Sequence, residues 1–354
     1  MKLYIKDGIK CFDSTDYSYR FNLKNGFFQR WGKTFEDDPT SAPFPEILDI
    51  ELDEVCHGIP DSNGVYQPCP FCYKANVGNK GNSMSFDTFK TIIDKFKKVN
   101  NVTTLTQLAA GVGDIDHCED LFKMFDYCRS IDIIPNITIN GARLTPDIVS
   151  NLVKYCGAIS VSVYERNPEV CYDAIKTLTD AGMKQINIHV CYHKNNVDFV
   201  KEVINTAAND PRLAKLNAVV LLALKQKGRG ESFNSIDDKD FYSIVTQAFK
   251  ENVGLGFDSC SYHRTKRTFE KLGILKKYEH LMEPCESFGL FSSYINSEGK
   301  YFPCSFMENS CDDWKDGINV LESESFDEIW NSDIVNKWKN ISLSCDRDCP
   351  VFQV

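Results

Sequence analysis

From Pro45 to about Asp258 the chain alternates short apolar runs with longer stretches whose apolar residues recur three and four positions apart. The runs predict strands at 47–52, 104–110, 133–139, 158–164, 185–192, 216–224 and 254–258. Between them, the sets Phe89, Ile92, Ile93, Phe96; Leu121, Phe122, Phe125; Val170, Ala174, Ile175, Leu178; Val200, Val203, Ile204, Ala207; and Phe241, Ile244, Val245 each lay one apolar stripe along a helix. Punctuation agrees: Thr145-Pro146 reads as a helix cap and first turn, and Gly182 stands just past a helix end. Strand and helix alternating at roughly 30 residues per unit is the pattern of repeated βα units on a parallel sheet. The fold class is therefore α/β: six or seven such units give a full TIM barrel or a partial (β/α)6-type TIM barrel, with function expected at the C-terminal ends of its strands. An open doubly wound sheet is the alternative.

Both ends depart from this alternation. Residues 1–46 read as a β-rich lead-in, with Lys24-Asn25-Gly26 between aromatic runs as a hairpin signal. After about Glu283 the alternation stops and cysteines crowd in, so the division expected is 1–46, a barrel over 47–265 and a small cysteine-rich unit over 266–354. No internal repeat or low-complexity segment interrupts it.

Composition narrows the function. With 40 Lys+Arg against 50 Asp+Glu the formal net charge is -10, a poor basis for gripping nucleic acid. No run of about 18 apolar residues offers a membrane span, and the N-terminus turns to charge before a signal-peptide core forms, so a cytoplasmic protein is expected. The 15 cysteines are an odd number in a chain not expected to be secreted. Clustered cysteines are then read as metal ligands or reactive thiols rather than a disulfide framework.

The first cluster follows the first barrel strand as Cys56-His57-Gly58 and then Cys69-Pro70-Phe71-Cys72, a C-x12-C-x2-C spacing. Three thiolates are one short of a closed tetrahedral zinc site or a fully ligated iron–sulfur cube. They suit a four-iron cluster with one iron open, a structural zinc completed by His57, or, less readily, a redox pair at Cys69 and Cys72. The Cys-x-aromatic-Cys ending, its place after strand one and the βα repeat resemble the radical S-adenosylmethionine superfamily. The usual spacing there is C-x3-C-x2-C, and the longer first loop here is a departure. The resemblance implies a 4Fe-4S cluster on Cys56, Cys69 and Cys72 whose open iron chelates S-adenosylmethionine. One electron then releases a 5'-deoxyadenosyl radical that abstracts hydrogen from a C–H bond. It also implies an external electron donor such as flavodoxin or ferredoxin.

The same resemblance assigns cofactor contacts along the strand ends. Gly111, Gly113 and Asp114 stand where relatives receive the methionine amino group, with an ordinary tight turn as the plain reading. Asn140 stands at a ribose position or in a turn. Ser160 and Ser162 share one strand face, Ser162 matching a carboxylate-binding serine, and either could be a small residue packed in the barrel. Tyr192 ends strand five, and Arg229 lies in a Gly-Arg segment where adenine contacts occur, or in a solvated basic loop. Asp258 and Cys260 end the last strand as candidate base and hydrogen-atom donor; Cys260 could instead ligate a second cluster or pack as a small hydrophobe.

In the C-terminal unit Cys285, thirteen residues, Gly299, four residues and Cys304 describe a hairpin turning at Glu298-Gly299-Lys300, with Cys311, Cys345 and Cys349 beyond it. The pattern resembles the SPASM and twitch extensions of that superfamily. The shorter twitch type implies one auxiliary 4Fe-4S cluster on Cys285, Cys304, Cys345 and Cys349, with Cys311 and Cys260 in reserve; a zinc ribbon is the plain alternative. Trp330 and Trp338 are expected to pack this unit onto the barrel. The resemblance points to a radical oxidoreductase acting on a peptide or protein side chain. Dehydrogenation of a small sugar-like or cyclitol alcohol is the alternative enzyme reading, and a zinc-stabilised binding module with no radical chemistry is the reading from another class.

Overall fold

The computed structural model describes residues 1–353. The six central strands are β5 (Ile47–Asp53), β6 (Gln107–Val112), β7 (Ile134–Ile139), β8 (Ile159–Ser162), β9 (Ile186–Tyr192) and β10 (Ala218–Ala223), joined by a short β11 (Leu255–Phe257). All pair in parallel with their sequence neighbours. The order runs from β11 back to β5 without a pairing between those two, so the sheet is a partial barrel. Helices α1 (Phe86–Asp94), α2 (Leu121–Ser130), α3 (Pro146–Tyr155), α4 (Glu169–Asp180), α5 (Val197–Asn209), α6 (Asp238–Glu251) and α7 (Tyr262–Lys271) cover its outside. Their stripes are the ones the spacing predicts; Ile92, Ile93, Phe125, Ile175, Leu178, Val203, Ile204 and Ile244 are all buried. Caps start these helices where polar side chains meet free N–H groups: Ser85 accepts from Thr88, Thr145 from Ile148 and Asp237 from Asp240.

Period two sorts the strands into two faces. Ile186, Ile188, Val190 and Tyr192 are buried against helices, while Asn187, His189 and Cys191 alternate with them and face inward, partly exposed. On β7 and β8 the inward set is Asn136, Thr138, Ser160 and Ser162. The barrel interior is thus a polar lumen rather than a packed apolar core.

The N-terminal residues form a four-stranded antiparallel sheet, β1 (Lys2–Lys6), β2 (Ile9–Asp13), β3 (Ser18–Asn22) and β4 (Phe28–Trp31). Leu3, Phe12, Tyr17, Tyr19 and Phe21 pack against Phe44, Ile134, Leu290 and Phe291 at the N-terminal ends of the barrel strands. The sheet therefore floors the barrel. Two polar side chains fix it there: Tyr19 Oη donates to Thr104 O at 3.0 Å, and the buried Lys10 Nζ donates to Leu105 O at 2.6 Å and Thr103 O at 3.3 Å.

The cysteine-rich segment continues the barrel sheet. β12 (Ser292–Ile295) pairs in parallel with β5, Tyr294 opposite Asp49, and β13 (Lys300–Phe302) and β14 (Ile318–Asn319) extend it antiparallel. The predicted hairpin turns at Asn296–Gly299, where Asn296 Oδ1 accepts from the N–H groups of Glu298 and Lys300. After a four-residue α8 (Leu275–Tyr278) come α9 (Phe326–Trp330) and α10 (Asp333–Ser344). Trp330 is buried in the main core, and Trp338 stacks on Phe288 with ring centroids 5.9 Å apart. Among the described residues no helix is long and apolar enough to cross a membrane.

Candidate metal centre and its surroundings

Twelve residues separate Cys56 from Cys69, and they fold back on themselves. Ile59 pairs with Gln67 and Pro60 with Tyr66, closed by a turn in which Asp61 Oδ1 accepts from Asn63 and Val65. The excursion leaves and returns at one place, so the long spacing still delivers Cys56 and Cys69 together. Gly58 permits the closure: its φ is +85°, and a Cβ there would lie 1.9 Å from Gln67 O. Arg143 lies over the Tyr66 ring at 4.6 Å, and Asn167 Nδ2 donates to Pro60 O at 3.1 Å, anchoring the hairpin to the strand-end loops.

The second half of the loop is tied to the loop after β10. Arg229 Nε donates to Cys69 O at 2.7 Å, its guanidinium also reaches Asn76 O at 3.2 Å, and its own N–H donates to Cys72 O at 3.0 Å. Phe71 stacks on Tyr164 at 6.0 Å and leans on His193 and Phe233. Burial pushes the Cys69 thiol up to about 12, with Cys72 and Cys191 adding to it while the Phe71 N–H bond opposes. Burial also raises Cys56, against a hydrogen bond from the Gly58 N–H, with Asp114 and Cys72 adding to the rise. Cys72 thus neighbours both Cys56 and Cys69 at the strand ends, with Cys191 of β9 near Cys69. N–H···S bonds of this kind are what an iron-bound thiolate uses to spread its charge.

The strand-end residues divide by what they touch. Gly113 presses on the cysteine loop, where a Cβ would meet Val55 O at 2.0 Å and Cys56 Cβ at 2.8 Å. Asp114, only 1% exposed, accepts from His57 N at 3.1 Å and meets His57 Nδ1 at 2.5 Å, with Arg143 Nε 3.7 Å away. It positions the residue after Cys56, and its Oδ1 has no partner. Gly111 lies on the lumen face of β6. Asn140 Oδ1 caps the turn at Ala142 N, leaving its buried Nδ2 unpartnered. Ser160 and Ser162 face the lumen as their period requires. Tyr192 does not join them: it is on the helix side of β9, its ring 5.3 Å from Phe241. Arg229 holds loop carbonyls. Asp258 is fully engaged, with Lys225 Nζ at 2.5 Å, Ala223 N at 3.1 Å and both Ser261 donors.

Several contributors carried no motif. Lys225, nearly inaccessible, pairs with Asp258; Glu51 on β5 meets Lys74 Nζ at 2.8 Å; and His189 and Cys191 line the lumen. Parity with Ile188 and Val190 was the one signal available for the last two, and it also turns Tyr192 outward.

In the C-terminal unit the thiols separate into groups. Cys304 Sγ accepts from Phe306 N at 3.3 Å and Cys349 Sγ from Phe352 N at 3.3 Å. Burial lifts Cys304 to about 12 and Cys285 to about 11, and the negative thiolate forms of Cys285 and Cys349 raise Cys304 further. Cys345 is exposed at the end of α10, and Cys311 caps a 3-10 turn at Asp312–Trp314. Among the described residues no three His, Cys, Asp or Glu side chains meet at a point that could hold a single ion.

No family model matches the sequence, and no curated protein does. Solved structures do. Streptococcus suis SuiB bound to precursor peptide SuiA superposes with a TM-score of 0.70 at 14% identity, over 96% of this chain and 90% of that one. SuiB bound to S-adenosylmethionine gives 0.69 at 14% identity, over 95% and 90%. The anSMEcpe enzyme with bound AdoMet and Cp18Cys peptide gives 0.59 at 14% identity, over 84% and 83%. Strand order, polar lumen and the sheet extension beyond β5 together give this chain the fold of the radical S-adenosylmethionine enzymes that carry a C-terminal auxiliary domain.

Proposed function

We propose that the chain is a radical S-adenosylmethionine enzyme whose first four-iron cluster is held by Cys56, Cys69 and Cys72 and whose substrate is a peptide or protein side chain. The observation that supports this reading is the folding back of the Cys56–Cys69 excursion on itself at the strand ends, which returns three cysteines, one short of full cluster ligation, to one side of a polar lumen. Bound there, the cluster and S-adenosylmethionine would supply a carbon radical able to remove hydrogen from an unactivated C–H bond.

The chain's own residues do the holding. Arg229 and the Gly58 and Gly113 contacts fix the loop; Asp114 orients His57 beside Cys56. Ser160, Ser162 and the free Nδ2 of Asn140 offer hydrogen bonds to a polar cofactor at the strand ends. The floor formed by the N-terminal sheet keeps water from entering beneath. Cys285, Cys304 and Cys349 form the greater part of a second, auxiliary cluster site.

A peptide is the substrate class we favour. A polar cleft of about 700 Å³ lined by Lys194, Asn195, Gln226, Asn234, Ser235 and Arg264 opens beside the ends of β9 and β10. SuiB and anSMEcpe were each solved with a peptide bound. The test is iron, sulfide and zinc per chain after anaerobic reconstitution, followed by reaction with reductant, S-adenosylmethionine and candidate peptides. About eight irons, falling by about four when Cys56, Cys69 and Cys72 become Ala, and release of 5'-deoxyadenosine are expected. Zinc without sulfide would overturn the reading.

A further inference from the structure

The auxiliary site has Cys304 and Cys349, each accepting an N–H···S bond, with Cys285 beside them, and the fourth thiol comes from an unexpected direction. Cys260 lies on the 3-10 turn Ser259–Ser261 that follows β11 of the barrel. Its half-buried thiol has Cys285 and Cys304 among its neighbours, and Cys349 in turn neighbours both of those. Cys345 is exposed, its Sγ 4.0 Å from Ser344 Oγ at the end of α10.

The turn that carries Cys260 is held rigidly. Asp258 Oδ1 accepts from Ser261 N at 3.2 Å and Ser261 Oγ at 2.6 Å, and Asp258 Oδ2 takes Lys225 Nζ at 2.5 Å. Lys225 lies over the Phe306 ring at 4.9 Å, and Phe306 is the residue whose N–H reaches Cys304 Sγ. One buried side chain thus links the turn that carries Cys260 to the residue that reaches Cys304. The two parts also touch directly: His263 Nε2 donates to Asp346 O at 3.1 Å, bringing the first turn of α7 onto the Cys345–Cys349 bend. Arg347 completes the join, its Nε donating to Cys285 O at 2.8 Å.

We propose that Cys260, a barrel residue, is the fourth thiolate of the auxiliary cluster with Cys285, Cys304 and Cys349, and that Cys345 stays outside it. This rests on the auxiliary-cluster reading. Ligation needs only loss of the thiol proton on iron binding. The cluster then bonds the last βα unit of the barrel to the C-terminal segment.

The experiment compares reconstituted chains by iron and sulfide content and by the electron paramagnetic resonance of the reduced auxiliary cluster. The double variant Cys285→Ala/Cys304→Ala is expected to lose about four irons; if it loses none, the auxiliary-cluster reading itself fails. Given that loss, Cys345→Ala is expected to keep about eight irons and the parent spectrum. Cys260→Ala is expected to fall toward about four while retaining the first cluster, which reports an intact barrel. Cys260→Ser, with an oxygen ligand in place, is expected to retain more iron than Cys260→Ala and to shift the auxiliary signal. Parent iron and spectrum in both Cys260 variants, or loss in Cys345→Ala, would overturn the proposal.

Discussion

Arg229 points its guanidinium at the carbonyls of Cys69 and Asn76, so its contribution is to loop shape. A hydrogen bond from a charged group contributes on the order of 1.5–3 kcal/mol, and Arg229→Gln gives up much of that restraint. Such a variant is expected to release iron to a chelator several-fold faster from the Cys56, Cys69 and Cys72 site, with the auxiliary iron unchanged. Equal release from both sites would contradict this role. Gly113 sets a stricter limit: Gly113→Ala puts a methyl group about where Val55 O lies, and about four irons should be lost on reconstitution. Lys10 tests the floor. Burial, only partly opposed by Asp132, pushes it down to about 7, so the unfolded chain binds more protons between that pH and the ordinary lysine range. Stability should therefore rise as pH climbs from about 7 to about 10, at about 1.4 kcal/mol for each tenfold difference in proton affinity, less what its two carbonyl partners return. Lys10→Met should flatten that rise in thermal melts; an unchanged slope would remove Lys10 as its source.

Most of the barrel was legible at the level of elements because helix stripes and strand parity are local and repeat. The strand expected over 185–192 is Ile186–Tyr192, and that expected over 133–139 is Ile134–Ile139. The Cys56–Cys69 spacing was less legible. Its resolution depends on the Ile59–Gln67 pairing, which is held by Asn167 and Arg143 from distant loops, and no local signal announces such partners. The same holds for Arg229, whose segment reads as a solvated basic loop until Cys69 is placed beside it. The N-terminal hairpin signal was readable, but its docking surface, Ile134 with Leu290 and Phe291, is assembled only by the fold. Shortening the excursion by deleting Ser62–Val65 while bridging with a two-residue turn should leave iron content unchanged if the hairpin only carries the chain out and back. Loss of the first cluster would show that the tip itself supports the cysteines.

Across the whole molecule, acids gather along β5 and the segment beside it. Burial pushes Asp49 up to about 7, with the Glu286 charge adding to it; burial raises Glu51 to about 7 as well, opposed by Lys74. The folded state then binds protons that the unfolded chain has released above the ordinary carboxylate range. These groups should make stability fall as pH rises from about 4 to about 7, the reverse of the Lys10 slope and in a separate window. Melts of the parent and of Asp49→Asn across that window would separate the two, since the variant should lose part of the acidic slope alone.

The pairing of β12 with β5 also bears on spacing. The strand that leads to the first cysteine loop and the strand that opens the hairpin ending at Cys304 are neighbours in one hydrogen-bonded ladder, Ser292 opposite Ile47 and Ile295 opposite Ile50. The distance between the two proposed metal-binding places is then ruled off in units of strand rise, as marks on one scale, rather than by the connecting chain from Gly273 to Glu283. Lengthening that connection with a few glycines should change how readily the protein assembles and leave the magnetic dipolar coupling between the two centres where it was.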